Sequence, residues 1–178
     1  MKKSILIPVI AIALAAVILF AANTSLNGIR AENAQKEHLR ILQTILPGST
    51  TFTVEPYTGD DANIRSVHVG ETGFVIETVT AGYAGDITML IGVSKDGKVT
   101  GLVVRELSET YGLGANALTD TDFLAQFLNT SGEAEVGTNV DAISGATVTS
   151  KAITRSINSA VAYVTGADTS SSATSWGG

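Results

Sequence analysis

Hydrophobic and polar positions follow three different patterns along this chain, and each pattern predicts a different kind of element. Residues 5–22 carry no charged side chain, and apolar residues recur at helical spacing through residues 24–46. Residues 49–106 break into short runs rich in Val, Ile, Thr and Phe, whereas 119–128 and 152–164 return to helical spacing. The pattern predicts an α+β fold: one N-terminal transmembrane helix, then a domain with a twisted antiparallel sheet flanked by helices.

The β-rich part contains five runs that predict strands, at 51–54, 66–69, 74–81, 87–93 and 99–106. Turn signals separate these runs, and the Asp96-Gly97 pair between the last two is typical of a hairpin. Short strands joined by tight turns favour an antiparallel sheet over parallel βαβ units.

Two amphipathic stretches border this sheet. The first ends on an apolar stripe and is stopped by Pro47-Gly48; the stripe is Leu39, Leu42, Ile45 and Leu46. The second is a short helix capped by Thr119 or Asp120, whose expected inward side chains are Phe123, Leu124, Phe127 and Leu128.

The N-terminal run predicts the compartment. Lys2 and Lys3 precede the uncharged residues, which as a helix would be about 27 Å long, enough for a thin bilayer core. A cleaved signal peptide is the alternative, but Phe20 is large where a cleavage site needs small residues. We expect a retained single-pass helix with a cytoplasmic N-terminus and everything after Asn23 on the extracytoplasmic side of the cell membrane.

The predicted organisation has four segments. They are a membrane anchor (1–23), a helical stalk (24–48), one domain (49–165) and a disordered tail rich in Ser, Thr and Gly (166–178).

Composition removes several kinds of chemistry. The chain of 178 residues has no cysteine, so it has no disulfide, thiolate metal site or cysteine nucleophile. Its net charge of −6 disfavours binding to nucleic acid. His38 and His68 are the only histidines and do not have ligand-like spacing, so we predict no metal site.

The stretch from Ser144 to Ser150 carries the candidate chemistry. It holds four hydroxyl side chains together with Gly145 and Ala146, directly before the last amphipathic helix. Thr147 or Thr149 is expected to act as the helix N-cap. A helix N-terminus attracts anions, and two small residues would let a phosphate ester approach the backbone.

Residues 141–149 read Asp-Ala-Ile-Ser-Gly-Ala-Thr-Val-Thr. This resembles the flavinylation motif of the FMN-binding domain family, which includes the G subunit of Rnf electron-transport complexes and the C subunit of the sodium-translocating NADH:quinone oxidoreductase. The resemblance implies FMN joined covalently through its phosphate to Thr149. Ser144, Gly145, Ala146 and Thr147 would form a recognition turn, read by a separate flavin transferase that uses FAD as donor.

Two upstream stretches are similar to the same family. Residues 82–87 resemble its Gly-Tyr-x-Gly-x-Ile segment, and residues 109–114 resemble a Glu-Thr-Pro-Gly-Leu-Gly loop beside the flavin ring, with Tyr111 replacing Pro. The resemblance implies that the loop residues Glu109, Thr110, Gly112, Leu113 and Gly114 contact the cofactor. The alternative is an ordinary strand-to-helix connection.

The function implied is electron relay in a membrane-bound, ion-translocating oxidoreductase of the Rnf type (ferredoxin:NAD). Partners would be the other subunits and the flavin transferase; no catalytic side chain is expected in this chain. Two alternatives stay open: a standalone extracytoplasmic flavin carrier for another reductase, and a pilin-like structural protein. The latter is disfavoured because residues 5–22 contain no acidic side chain.

The loop generates a redox prediction. Burial of the flavin ring against Leu113 and repulsion from Glu109 would both disfavour the charged reduced flavin. Glu109→Gln should therefore raise the midpoint potential; the Coulomb contribution is about 2 kcal/mol at an effective dielectric of ~20 and ~8 Å. Leu113→Ala should raise it too by admitting water. Redox titration measures both, and unchanged midpoints would make the loop an ordinary connection.

Overall fold

The computed structural model describes residues 30–107 and 120–167. The predicted membrane helix, the start of the stalk and the tail from residue 168 lie outside the described residues. Over the two described ranges, no helix is both long enough and apolar enough to cross a membrane. The chain divides into two compact units, Met1–Ile41 and Leu42–Gly178.

The described part of the first unit is helical and exposed. Helix α1 is described from residue 30, the first residue of the description, to residue 45. An ion pair between Lys36 and Glu32, with 2.7 Å between Nζ and Oε1, joins successive turns on its surface. Such an exposed pair contributes only a few tenths of a kcal/mol.

The second unit is built on a five-stranded antiparallel sheet in which each strand pairs with the next along the chain. The strands are β1 (Phe52–Pro56), β2 (Ile64–Gly70), β3 (Gly73–Ala81), β4 (Asp86–Ser94) and β5 (Val99–Leu107). Each of the five predicted strands is present, with ends that differ by a few residues. The hairpin at Asp96-Gly97 is also confirmed: Gly97 has a φ of 77°, and its N–H donates to the Ser94 carbonyl at 2.9 Å.

One face of the sheet is covered by the long helix α3 (Thr147–Thr165), and the short helix α2 (Thr121–Ala125) contributes Phe123 to the same core. Side chains alternate along a strand, so Ile76, Met89 and Ile91 share this face and are fully buried. Ile153 and Ile157 of α3 pack into the same core with no exposed surface, and each stabilises the fold by roughly 2 kcal/mol. The α+β class and the antiparallel sheet are therefore confirmed.

Helix α2 is shorter than predicted but begins at one of the expected caps. The Asp120 carboxylate accepts the N–H groups of Asp122 and Phe123. Phe123 and Phe127 are buried and meet edge to face at 5.3 Å, as the spacing predicted. Leu128 was expected inward, and this was wrong: the α-helix ends at Ala125, and the turns that follow leave Leu128 43% exposed.

The opposite face of the sheet packs against the last residues of α1, 42–45, which belong to the second unit. Gly92 and Gly101 lie opposite each other on β4 and β5, and a Cβ on either would come within 2.8 Å of the Ile45 carbonyl oxygen. Thr100 Oγ1 donates to the same oxygen at 2.7 Å. Because neither glycine has a side chain, the backbone of α1 at Ile45 can lie close to these two strands. Of the predicted apolar stripe, three residues are buried and Leu39 is exposed; the buried ones are Leu42, Ile45 and Leu46.

Glu71 ties the segment after α1 to the β2–β3 hairpin. Its carboxylate accepts the backbone N–H and the hydroxyl of both Thr50 and Thr51, at 2.9–3.1 Å for the shortest contact of each group. Its own backbone N–H, followed by the Thr51 hydroxyl, lowers the pKa of Glu71 from 4.5 to about 2. Since the folded state lowers this pKa, the ionised carboxylate stabilises the fold.

We predict a pH-dependent effect of Glu71→Gln. The stabilisation from Glu71 is fully present above pH 4.5 and is lost as pH falls towards about 2. The variant should be less stable than the wild type at neutral pH, and the difference should shrink across that window. Urea unfolding at a series of pH values measures it, with Glu55→Gln at an exposed position of β1 as control. A difference that does not change with pH would contradict this account.

Candidate functional site

Helix α3 lies along β3 and runs in the opposite direction. Near the start of the helix, the Ala152 carbonyl accepts a hydrogen bond from Thr80 Oγ1 at 3.2 Å, and Ser156 Oγ lies 2.8 Å from the same Thr80 oxygen. Towards its end, the Tyr163 ring meets Phe74 edge to face at 5.9 Å. Because Thr80 is near the end of β3 and Phe74 near its beginning, the N-terminus of α3 lies where β3 ends.

Several stretches singled out in the sequence are attached to this end of the sheet. The turn from β3 to β4 is closed by the Gly82 N–H, which donates to the Gly85 carbonyl at 2.8 Å. Arg155 Nη2 of α3 reaches the Ala81 carbonyl at 3.4 Å. Leu107, the last residue of β5, pairs with Ile87 at the same end. The strand that precedes the loop of residues 108–119 therefore finishes at the same end of the sheet as the start of α3.

The loop itself lies outside the described residues. The expected cofactor contacts of five of its residues remain predictions; these are Glu109, Thr110, Gly112, Leu113 and Gly114.

A tight turn precedes α3. The Ala146 N–H donates to the Ile143 carbonyl at 2.9 Å, and Gly145 has a φ of 77°. This left-handed backbone favours glycine, because an L side chain would be strained there. Ser144 and Gly145 are exposed, whereas Ala146 is buried. Three of the predicted recognition residues, Ser144, Gly145 and Ala146, thus form a tight turn before the helix, and the fourth, Thr147, is the first residue of the helix.

Helix α3 begins earlier in the chain than an N-cap at Thr147 or Thr149 would require. Its first residue is Thr147, and Ala146 stands at the N-cap position, where it makes no side-chain capping bond. The expectation that Thr147 or Thr149 is the N-cap was wrong. Both threonines are inside the helix, at its first and third positions. The turn closed by the hydrogen bond from the Ala146 N–H to the Ile143 carbonyl already directs the chain into the helix before either threonine is reached.

Ser150 joins the turn before the helix to the first turn of the helix. Its Oγ accepts the Ile143 N–H at 3.2 Å and donates to the Ala146 carbonyl at 2.9 Å. It has no exposed surface. Ser150 has no predicted role; its signal in the sequence is a serine one turn into a helix, where a hydroxyl can bond the carbonyl four residues back.

The first turn of α3 has unused hydrogen-bonding groups. Across residues 30–107 and 120–167, no acceptor lies in range of the backbone N–H groups of Thr147, Val148 and Thr149. Over the same ranges the Thr149 hydroxyl has no partner either, although Thr149 is only 1% exposed. Thr147, by contrast, is exposed. A threonine hydroxyl beside free N–H groups at the positive end of a helix suits a phosphate ester.

The charges on α3 agree with an anionic ligand. The helix has no acidic residue in its first turn, and the exposed Lys151 and Arg155 follow on its surface. In the described part of the chain, no group of three or more His, Cys, Asp or Glu side chains could hold a metal ion. The donors at this site are thus backbone N–H groups and a threonine hydroxyl.

Comparison with known proteins adds the family. A model of the FMN-binding domain matches residues 82–162, from the β3–β4 turn almost to the end of α3. The G subunit of an ion-translocating oxidoreductase complex from Methanosarcina acetivorans is 35% identical over 176 residues, which covers 90% of each chain.

Two further relatives match over about half their length. The G subunit of a Na⁺-translocating ferredoxin:NAD⁺ oxidoreductase complex from Acetobacterium woodii is 33% identical over 112 residues, covering 55% of this chain and 54% of that protein. The G subunit of a proton-translocating ferredoxin:NAD⁺ oxidoreductase complex from Clostridium ljungdahlii is 38% identical over 99 residues, covering 52% and 53%.

The matched region contains the sheet end, the turn before α3 and the buried threonine. The chain therefore belongs to the FMN-binding domain family, and within it the chain is similar to the G subunits of ion-translocating oxidoreductase complexes.

Proposed function

We propose that this chain is an electron-relay subunit of a membrane-bound, ion-translocating ferredoxin:NAD oxidoreductase, with FMN linked through its phosphate to Thr149. One observation supports the choice of acceptor. Among the described residues, the Thr149 hydroxyl has no hydrogen-bond partner and stands next to three free backbone N–H groups, inside the region that matches the FMN-binding domain.

The residues present fit the phosphate of FMN. The N–H groups of Thr147, Val148 and Thr149 would hold its oxygens, and the helix dipole would favour its charge. Gly145 and Ala146 would leave space for the ester. FMN, when bound, supplies the redox chemistry, and this chain supplies its position and its electrostatic surroundings.

The attachment step is a transfer of the FMN phosphoryl group from FAD. Thr149 Oγ1 attacks the phosphorus on the FMN side of FAD, so that a new P–O bond forms while the pyrophosphate P–O bond breaks. AMP leaves, and the hydroxyl proton passes to a base of the flavin transferase. No electrons are exchanged, so the step needs no oxidant or reductant.

The partners follow from the relatives. Their names place them in multi-subunit complexes, so we propose that this chain works beside other subunits of such a complex. One relative is named for Na⁺ and another for protons, at 33% and 38% identity. We therefore propose that other subunits select the ion.

The acceptor is tested by three variants. Thr149→Ala and Thr149→Val should abolish covalent flavin, because neither side chain has an oxygen to phosphorylate. The valine variant nearly keeps the shape of this buried side chain and so controls for lost packing. Thr149→Ser should keep at least part of the modification. Flavin fluorescence in a denaturing gel, after production with the transferase, is the measurement.

Thr147→Ala is the matched control. It removes an exposed hydroxyl two residues away and leaves the acceptor in place, so the band should remain fluorescent, though weaker if Thr147 helps recognition. A fluorescent band from the Thr149→Val variant would show that another residue is the acceptor.

The membrane topology is tested separately. We propose that residues 5–22 stay in the membrane and that the domain lies outside the cytoplasm, because Lys2 and Lys3 precede the uncharged run. A reporter active only outside the cytoplasm, fused after Gly178, should be active, and the protein should resist extraction by carbonate. Release of a shortened, soluble form would mean that the segment is a cleaved signal.

A further inference from the structure

We propose that Gln126 is a positioning residue for flavin attachment: it holds the segment before α3, residues 141–146, in the arrangement that the flavin transferase binds. This inference rests on the proposed function in one respect only, that a flavin transferase acts on this chain. It does not depend on which hydroxyl in the first turn of α3 receives the flavin. The observation behind it is a pair of hydrogen bonds between the Gln126 side-chain amide and the backbone of Asp141.

The Gln126 amide pairs with Asp141 much as a neighbouring strand would. Its Oε1 accepts the Asp141 N–H at 2.8 Å, and its Nε2 donates to the Asp141 carbonyl at 3.3 Å. In the described part of the chain, these two backbone groups have no other partner. A side-chain amide carries its donor and its acceptor in a fixed relation, so it restrains both the position and the orientation of residue 141.

The residue that carries this amide is anchored in the core. Gln126 directly follows α2 and lies between Phe123 and Phe127, which are 3% and 0% exposed and meet edge to face. This buried aromatic pair fixes the backbone at Gln126, because moving it would expose large apolar side chains. Gln126 therefore connects the segment before α3 to the hydrophobic core, although Asp141 lies 15 residues further along the chain.

The segment that Gln126 holds has few other supports. Between Val140, which is buried, and Ile143, whose N–H donates to Ser150, the described structure gives the backbone no partner except Gln126. Asp141 and most of the residues up to 147 are exposed, so a partner protein can contact them. Without the amide, a transferase would have to order this stretch when it binds, and the entropy lost would weaken binding.

The test is the rate of flavin attachment as a function of the concentration of the full chain, with purified flavin transferase and saturating FAD. Gln126→Met nearly keeps the length of the side chain and removes both hydrogen bonds. We expect KM for the chain to rise about tenfold, which corresponds to about 1.4 kcal/mol. The kcat should change less than about twofold, because the bound segment has the same geometry in both chains.

Gln126→Glu is the conservative variant. Its carboxylate can still accept the Asp141 N–H but cannot donate to the Asp141 carbonyl. Its KM should therefore lie between those of the wild type and Gln126→Met.

Asn158→Leu is the matched control. The Asn158 amide makes the same pair of bonds with a different backbone residue: its Oδ1 accepts the Ala134 N–H at 3.1 Å, and its Nδ2 donates to the Ala134 carbonyl at 2.8 Å. The loss of this pair should lower thermal stability but leave KM within about twofold of the wild type, because Ala134 lies outside the 141–146 segment. Rates are measured well below the melting temperatures of all variants, so that unfolding does not contribute to KM.

Amide hydrogen exchange checks the contact without the transferase. In the wild type, the Asp141 N–H should exchange more slowly than the Ala142 N–H, which has no acceptor among the described residues. Gln126→Met should remove this difference. Equal exchange of the two amides in the wild type would overturn the proposal.

Two kinetic outcomes would also overturn it: an unchanged KM in Gln126→Met, or an equal rise in KM in Gln126→Met and Asn158→Leu. In both cases the wild-type chain would still be labelled. Failure of the proposed function would look different, because the wild-type chain itself would then take up no covalent flavin.

Discussion

The packing of α3 along β3 is the contact on which the candidate site depends. Apolar burial drives it, through Ile153 and Ile157, but burial alone has no direction and would tolerate sliding. Buried hydroxyl groups remove that freedom. Ser156 meets Thr80, and Ser159 accepts a hydrogen bond from Asn63 Nδ2 at 3.2 Å. Leaving any of these groups unpaired would cost about 1–3 kcal/mol, so the register of the helix on the strand is defined.

That register brings the start of the helix to the end of the sheet where β3 ends, β4 begins and β5 ends. Within the described residues, the first turn of α3 then presents free N–H groups and an unpartnered threonine hydroxyl at one point. In a chain with a net charge of −6, a helix N-terminus without acidic neighbours in its first turn gives an anion a local site. The proposed covalent link would keep the cofactor at this site even outside the cytoplasm, where a dissociated cofactor would be lost to the bulk solution.

The sequence predicted the sheet well because its signals are local. Runs of Val, Ile and Thr separated by glycine-containing turns located all five strands, and the Asp96-Gly97 hairpin followed from its turn chemistry. The helix start before Thr149 was placed too late. Capping preference favours threonine, but the turn from Ile143 to Ala146 and the hydroxyl of Ser150 set the helix start instead. These contacts are local, but they are specific hydrogen bonds between particular residues, which a preference scale for single positions does not contain. Leu128 shows the same limit: Leu124, four residues earlier, is partly buried as expected, but the α-helix ends at Ala125, so the helical period no longer applies.

The central claim is that Thr149 carries the flavin, and sequencing of one peptide tests it most directly. Trypsin should release a fragment ending at Lys151 that contains Ser144, Thr147, Thr149 and Ser150. Fragment-ion mass spectrometry of protein produced with a flavin transferase should find the mass of FMN less one water on Thr149. The same mass on Ser144, Thr147 or Ser150, or its absence from this peptide, would contradict the account.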